Sequence, residues 1–246
     1  MLLLAPDVPA ARALAEAWAS RSAVAGWQAA SLRDAERLLR TGDADLAFVS
    51  TLSVLRDPDA FSVVPGVALV GGAADPVRLD VRSGLDAIRR VGIDPRHAQE
   101  ALLAQVVLKE LYDAQPSFVP LDPSAPEPAD LDAVLRVGEA GSDGVALDLG
   151  REWFELTTRP FVWALLAAPV GTVAPDEARH LRDIAFGHDG PAGAGTDPGM
   201  GGVTLAGFAH AGLDEWVNHL FYHRALDAVP EIPFVVIPVE DDEAEA

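Results

Sequence analysis

Residues 31–51 read SLRDAERLLRTGDADLAFVST, and this stretch decides the fold class. Residues 32–40 carry apolar side chains at the three- and four-residue spacing of an amphipathic helix. Ser31 is placed to cap its N-terminus, and Gly42 is placed to end it at the C-terminus. Residues 45–49 form a short apolar run that is typical of a buried strand. A helix joined to a buried strand by so short a turn predicts an α/β sheet.

Elements of the same two kinds alternate along the rest of the chain. Strands are predicted over residues 2–4, 63–70, 77–81, 91–93, 145–149, 161–167 and 235–239, and helices over residues 8–19, 85–90, 99–113, 151–157, 174–186 and 207–225. The alternation predicts a parallel or mixed α/β sheet. Ligands of such folds bind at the carboxyl ends of strands, beside helix N-termini, so a site is first expected at residues 50–51 and at residue 94.

The charge balance limits the class of ligand. The 246 residues include 38 acidic and 18 basic side chains, for a formal charge of −20 at pH 7. Nucleic acids and anionic lipids are bound by clustered lysine and arginine, so no nucleic-acid or membrane partner is expected. A small anion is still compatible with this charge, because helix N-termini and a few arginines can dominate the field inside a pocket.

Other features exclude whole classes of chemistry. The chain has no cysteine, which rules out disulfides and thiolate chemistry. The glycine-rich insertion at residues 187–202, which is predicted to be flexible, has no phosphate-binding motif, and no Gly-x-Ser-x-Gly elbow is present, so neither nucleotide binding at the insertion nor a serine hydrolase is expected. The N-terminus does not resemble a signal peptide, and the longest apolar run is about half of a bilayer span, which predicts a soluble cytoplasmic protein. The acidic tail, residues 240–246, is expected to be disordered.

Two helix starts carry candidate ligand-binding residues. Ser50, Thr51 and Ser53 follow a predicted strand, where their hydroxyls and backbone N–H groups could bind a carboxylate, or could cap the next helix without any ligand. His97, Gln99 and Glu100 begin the helix predicted over residues 99–113. They could contact a substrate, or form an ordinary solvated first turn in which the helix dipole favours Glu.

A third group of polar residues shares one face of the last predicted helix. Glu215, His219 and His223 are spaced four residues apart, so their side chains point the same way. A metal ion would need them to converge with a further ligand, for which His210 is the one candidate. A half-exposed helix face is the better interpretation, and no metal is expected.

Five segments share their order and spacing with one known family. They are AERLLRTGDADLAFVSTLSVLRD (residues 35–57), VGIDPRHAQEALLAQVVLKELY (91–112), VLRVGEAG (134–141), DLGREWFELTTRPFVWALLA (148–167) and LFYHRAL (220–226). On these segments the chain resembles the chorismate dehydratases of the futalosine route to menaquinone. A related family, which cleaves cyclic dehypoxanthine futalosine, carries a histidine in the segment that corresponds to residues 137–146, and this chain has none there.

The resemblance implies a fold and a reaction. The fold would be a two-lobed, periplasmic-binding-protein-like (type II) α/β structure with a ligand cleft between the lobes. Residues 1–75 and 170–246 would form a discontinuous first lobe, and residues 76–169 the second. The reaction would be a carbon–oxygen lyase step that removes water from chorismate to give 3-[(1-carboxyvinyl)oxy]benzoate without a cofactor.

The chain departs from the family at positions that matter for chemistry. The asparagine that takes part in the family's reaction falls on Leu3, and the family's substrate-binding serine motif falls on residues 97–100. Within residues 134–141, which resemble the family's Leu-Ile-Gly-Asp-Ala motif, Glu139 stands in place of the aspartate. Two hypotheses follow from these departures. The protein is a dehydratase with a rebuilt site, or a non-catalytic or divergent cleft protein that binds a small organic acid.

The first hypothesis assigns roles to six residues. Ser50 and Thr51 would bind a carboxylate, while His97 would act as a general base because its ordinary pKa lies near neutrality. His97 and Gln99 would take the place of the lost serine hydroxyls, and Glu100 would contact the substrate. The sixth residue, Asp148, would lie near the cleft at the start of the segment that matches the family best.

Overall fold

The computed structural model describes residues 1–21, 24–72, 74, 76–82, 84–122, 124–138, 145–189 and 201–238. In chain order, its strands and helices are β1 (Leu2–Ala5), α1 (Pro9–Ala19), β2 (Gly26–Ala29), α2 (Leu32–Thr41), β3 (Leu46–Ser50), α3 (Thr51–Arg56), β4 (Phe61–Gly71), β5 (Val77–Val81), β6 (Arg90–Ile93), α4 (Ala98–Tyr112), β7 (Ser117–Pro120), β8 (Ala133–Val137), β9 (Val145–Asp148), α5 (Leu149–Thr157), β10 (Val162–Pro169), α6 (Pro175–Asp189), β11 (Gly201–Thr204) and α7 (Phe208–Tyr222).

A six-stranded sheet forms the first lobe, with the strand order β11-β4-β10-β3-β1-β2. β1 runs parallel to β2 and β3, whereas β10 is antiparallel to both β3 and β4. All of β10 except its last residue is buried. An almost continuous apolar strand of this kind is expected where both faces of a sheet are covered.

A five-stranded sheet forms the second lobe, with the strand order β7-β6-β8-β5-β9. β6 is parallel to β7 and β8, and β5 is antiparallel to β8 and β9. α5 packs against β5 and β9, while α4 packs against α5 and β8. The N-terminus of α4 therefore starts from this lobe, directly after β6.

The chain crosses between the two sheets after β4 and returns after α5. β10 lies in the six-stranded sheet, whereas the sequence-based boundary at residue 169 assigned residues 162–169 to the second lobe. We propose that the boundary between the lobes falls between Thr157, which ends α5, and Val162, which begins β10.

The segment that matches the family best is mainly a packing unit. Trp153 on α5 is fully buried, and its ring makes edge-to-face contacts with Phe161, at 5.4 Å between centroids, and with Trp216 on α7, at 5.7 Å. Such aromatic pairs stabilise a core beyond the area that they bury. The rings thus hold α5 and α7 together at the point where the chain returns to the first lobe.

Local signals in the sequence identify the ends of α2 correctly. The Ser31 hydroxyl accepts a hydrogen bond from the backbone N–H of Asp34 at 3.1 Å, which caps the helix. Gly42 follows the helix with a φ of 78°, in the left-handed region that glycine adopts without steric cost.

Several predicted elements differ from the observed ones. The four-residue strands β2, β7 and β11 were not predicted, because such short segments show no clear periodicity. The helix predicted over residues 85–90 is only a 3-10 turn at Leu85–Ala87, since β6 already begins at Arg90. Instead of the strand predicted over residues 235–239, the chain makes one bridge between Phe234 and Val63. The flexible insertion predicted over residues 187–202 is too long at both ends, because residues 187–189 belong to α6 and residues 201–202 to β11. Its remainder, residues 190–200, and the tail predicted over residues 240–246 lie outside the described residues.

Across the ranges given above, no helix combines the length and the apolar character that crossing a membrane would require.

Candidate functional site

A cavity of about 1050 Å³ lies between the two lobes. The first-lobe wall includes Ser31, Leu32, Arg33, Asp34, Glu36, Arg37, Ser50, Leu52, Ser53, Arg56, Leu69 and Trp163. The second-lobe wall consists of residues 95–100, Val77 and Val137. Residues that directly follow β1, or that end β2 and β3, also line the cavity, so the carboxyl ends of three parallel strands open into it. This is the ligand position that the α/β architecture predicts.

Three helix N-termini face the cavity, those of α2 and α3 from the first lobe and that of α4 from the second. The hydroxyls of Ser31 and Ser50 cap α2 and α3, whereas His97, the N-cap residue of α4, makes no side-chain cap. The backbone N–H groups of Ala98 and Gln99 find no acceptor among the described residues. Unpaired N–H groups and the positive end of the helix dipole together attract anions.

The charges of the cavity lining differ from those of the whole protein. The chain as a whole carries a formal charge of −20, but equal numbers of arginines and carboxylates face the cavity. The four arginines are Arg33, Arg37, Arg56 and Arg96, and the four carboxylates are those of Asp7, Asp34, Glu36 and Glu100. Arg96 is paired with Asp94. Arg33 and Arg56 form no ion pair or hydrogen bond with any residue that the structure describes. Their guanidinium groups can therefore bind a ligand carboxylate.

Glu100 and His97 form an acid–base pair on the second-lobe wall. Burial raises the pKa of the Glu100 carboxyl to about 7, because desolvation disfavours the charged form. Burial also lowers the pKa of His97, and the nearby Arg96 and Arg33 add to this effect while Asp94 opposes it. The His97 Nδ1 and Glu100 Oε2 atoms lie 3.9 Å apart. Near neutral pH the imidazole is thus neutral, and the carboxyl group is present in both protonation states.

Gln99 bridges the two lobes. It begins α4 in the second lobe, but its Oε1 accepts the backbone N–H of Leu52 at 2.9 Å and its Nε2 donates to the carbonyl oxygen of Trp163 at 2.8 Å. Both partners belong to the first lobe, and the Gln99 residue is only 3 % exposed. The amide that sequence analysis assigned to a substrate is therefore already bound at both ends.

The two hydroxyls at the end of β3 have different surroundings. Thr51 is fully buried and its hydroxyl donates to the carbonyl oxygen of Val162 at 2.7 Å, away from the cavity. Ser50 lines the cavity, and its hydroxyl donates to that of Ser53 at 2.8 Å. Ser53 in turn donates to Glu36 Oε2 at 2.6 Å. Of the three hydroxyl residues predicted here, the structure brings Ser50 and Ser53 to the cavity and leaves Thr51 outside its lining.

Two further positions from the sequence lie outside the cavity lining. Asp148 is exposed and caps α5, since its Oδ1 accepts the backbone N–H of Arg151 at 3.0 Å. Leu3 is fully buried within β1, between Trp27 of β2 and Leu46 of β3. An apolar residue suits that interior position, and the side chain is shielded from any ligand. Glu139 lies outside the described residues.

The histidines of α7 do not converge on one point. His219 lies 3.6 Å from Glu215, whereas His223 turns to Glu110 of α4 at 3.0 Å and His210 lies 3.4 Å from Asp214. No group of three metal-ligating side chains forms within the part of the chain that the structure describes.

Several residues of the site were not identified from the sequence. Arg33, Glu36 and Arg56 carried no motif signal in the sequence. They become neighbours because α2 and α3 both open at the same edge of the first sheet.

The arrangement of two lobes around a cavity is shared with solved structures. A ligand-binding component of an ABC-type import system from Staphylococcus aureus is 11 % identical, with a TM-score of 0.58 and 96 % coverage of both chains. A protein from Archaeoglobus fulgidus is 12 % identical, with a TM-score of 0.56, covering 92 % of this chain and 98 % of that one. The periplasmic aliphatic sulphonate binding protein SsuA from Escherichia coli is 12 % identical, with a TM-score of 0.51, covering 92 % of this chain and 79 % of that one.

With these similarities, the two sheets and the cavity between them define a type II substrate-binding-protein fold, as the sequence resemblance implied. A family model described as menaquinone biosynthesis matches residues 14–185. The chain therefore belongs to this menaquinone biosynthesis family. No curated protein matches the chain significantly.

Proposed function

We propose that the protein binds chorismate in the cavity between its lobes and eliminates water from it to give 3-[(1-carboxyvinyl)oxy]benzoate. The observation that carries this proposal is the second-lobe wall, where the open N–H groups of Ala98 and Gln99 adjoin the buried carboxyl group of Glu100. Membership in the menaquinone biosynthesis family supports a role in making menaquinone. The specific reaction is suggested by the sequence resemblance to chorismate dehydratases.

The cavity has the groups that two carboxylates require. One carboxylate can accept the N–H groups at the start of α4, on the second-lobe wall. The other can pair with Arg33 and Arg56 on the first-lobe wall, which have no partner among the described residues. These groups compensate two negative charges locally, within a protein that is acidic overall.

The elimination needs a base and an acid. A ring C–H bond breaks and its electron pair forms a new ring double bond, while the hydroxyl on the neighbouring carbon leaves as water and the ring becomes aromatic. Neutral His97 takes the ring proton and protonated Glu100 gives a proton to the departing hydroxyl. The His97 Nδ1 and Glu100 Oε2 atoms are 3.9 Å apart, which is beyond hydrogen-bond distance, so the proton returns from the imidazolium to the carboxylate through a bridging water and restores both groups.

A non-catalytic or divergent role in binding a small organic acid is the second candidate. Leu3 favours it, because this position is apolar and fully buried where the family has a reactive asparagine. Gln99 favours it as well, because its amide is bound to Leu52 and Trp163 and is not free to replace the family's serines.

The test incubates the purified protein with chorismate and follows 3-[(1-carboxyvinyl)oxy]benzoate by chromatography. Thermal unfolding of the same protein with and without chorismate reports binding independently of turnover. Product formation that is abolished by Glu100→Gln supports the dehydratase. Stabilisation without any product supports the binding role, and the absence of both effects contradicts both candidates.

A further inference from the structure

The hydroxyls of Ser50 and Ser53 form a directional hydrogen-bond chain on the first-lobe wall. Glu36 Oε1 accepts the Nε–H of Arg40 at 3.0 Å, and Glu36 Oε2 accepts the Ser53 hydroxyl at 2.6 Å. An ionised carboxylate has no hydrogen and can only accept, so Ser53 must donate to it. Ser53 has then used its single hydrogen, and it accepts the hydroxyl of Ser50 at 2.8 Å.

The direction of this chain determines what Ser50 presents to the cavity. Its one hydrogen points to Ser53, and one of its lone pairs accepts the backbone N–H of Ser53 at 3.2 Å. The remaining lone pair receives no hydrogen bond from any described residue, and Ser50 lines the cavity. Ser50 therefore faces a ligand as an acceptor, which differs from the carboxylate-binding role expected from the sequence.

Helix capping alone does not require this arrangement. Capping of α3 uses only a lone pair of Ser50, and it leaves the hydroxyl hydrogen free to rotate into the cavity. The contacts from Ser50 to Ser53 and from Ser53 to Glu36 remove that freedom. Arg40 secures the far end of the chain, since its Nη1 also donates to Asp57 at 2.7 Å.

We infer that Ser50 selects a hydroxyl group on the ligand, so that the cavity prefers hydroxylated cyclic carboxylic acids over their deoxy and oxo counterparts. The inference rests on the proposed function, because it takes the ligand to be a cyclic carboxylic acid. A ligand hydroxyl donates to the free lone pair of Ser50. A keto or carboxylate oxygen at the same place would direct its lone pair at that of Ser50, so that two acceptors face each other without a hydrogen between them.

The test measures three ligands by isothermal titration calorimetry: trans-4-hydroxycyclohexanecarboxylate, cyclohexanecarboxylate and 4-oxocyclohexanecarboxylate. The hydroxy acid is expected to bind about 10-fold to 100-fold more tightly than the other two, the range for a site that pairs with a ligand hydroxyl. Ser50→Ala should reduce this ratio to about 2-fold or less, because it removes the acceptor. Ser20→Ala, at the exposed end of α1, is the matched control and should leave the ratio unchanged.

Glu36→Gln tests the direction of the chain. The new amide must turn its oxygen to the Nε–H of Arg40, so its NH₂ group faces Ser53. Ser53 then donates to Ser50, and Ser50 donates into the cavity. The preference should therefore reverse, with the oxo acid binding more tightly than the hydroxy acid.

The outcomes separate this inference from the proposed function. Equal affinities of the unmodified protein for the hydroxy, deoxy and oxo acids overturn the inference, while acid binding in the cavity stands. If none of the three acids and no chorismate binds, both are overturned. Retained selectivity in Ser50→Ala also rules the inference out. If Glu36→Gln does not fold, Ser50→Ala still provides the test, because it removes only one hydroxyl group.

Discussion

The two walls of the cavity are built differently, although each is a helix start that follows a strand. On the first-lobe wall, Ser31 and Ser50 cap their helices, and Ser50 is bound into a chain that ends at Glu36. On the second-lobe wall, α4 has no side-chain cap, and Glu100, whose side chain is 12 % exposed, lies in its first turn. The difference shows that a helix start offers backbone donors to a ligand when its own sequence leaves them uncapped.

The largest expected effect comes from Glu100→Gln, which removes the proton of the second-lobe wall. The proposed elimination should slow by about 100-fold or more, the usual contribution of a general acid. Product formation from chorismate measures the rate, and calorimetry with cyclohexanecarboxylate shows whether binding is retained. An unchanged rate would contradict the role of Glu100 as the proton donor.

The same substitution should change how stability depends on pH. The pKa of Glu100 is raised from 4.5 to about 7, so between these values the folded state holds a proton that the unfolded state has released. The contribution of this proton to the free energy of unfolding is therefore complete below pH 4.5 and is lost as the pH rises through 7. The total loss is up to about 3 kcal/mol. Urea unfolding at pH 5 and pH 8 should show this loss in the unmodified protein and not in Glu100→Gln.

Gln99→Leu tests the second-lobe wall as a bridge between the lobes. The change leaves the Leu52 N–H and the Trp163 carbonyl oxygen without their partners in a buried place. We expect a loss of about 2–3 kcal/mol in the free energy of unfolding, measured by urea denaturation. Gln105→Leu, at an exposed position of the same helix, is the control and should change it by about 0.5 kcal/mol or less. Equal effects of both substitutions would contradict the bridging role.

Arg56→Ala tests the first-lobe wall as a carboxylate site. Loss of one unpaired guanidinium group should weaken chorismate binding by about 10-fold, and the difference should shrink at high salt. Calorimetric titration at two salt concentrations measures both effects. Arg151→Ala is the control, since Arg151 is exposed and lies outside the cavity lining. If both variants bind chorismate equally, the carboxylate is held elsewhere.

The smallest expected effect comes from Asp148→Ala, which touches neither wall. Loss of the cap on α5 should lower the free energy of unfolding by about 1 kcal/mol, as measured by urea denaturation. Ligand affinities should stay as they are in the unmodified protein. A change in chorismate affinity would show that the segment matching the family best also acts on the cavity.

Sequence reasoning predicted the helix starts more reliably than the roles of single side chains. It proposed Ser50, His97, Gln99 and Glu100 as candidate ligand-binding residues, and the structure brings these four to one cavity. Thr51 and Asp148 were placed near a ligand, but the first bonds to Val162 and the second caps its own helix. Neighbouring residues at a strand end point in opposite directions, and their surroundings are set by strands distant in the chain.

The sequence by itself determined the α/β class, the ends of α2 and the family, because these depend on periodicity, local capping and the order of segments. Only the tertiary structure decided which polar groups stay free. Gln99 is bound by atoms of Leu52 and Trp163, which lie 47 and 64 residues away, and burial alone raises the pKa of Glu100 to about 7. Hydrogen-bond partners and desolvation are properties of contacts across the fold, so no local pattern of residues can specify them.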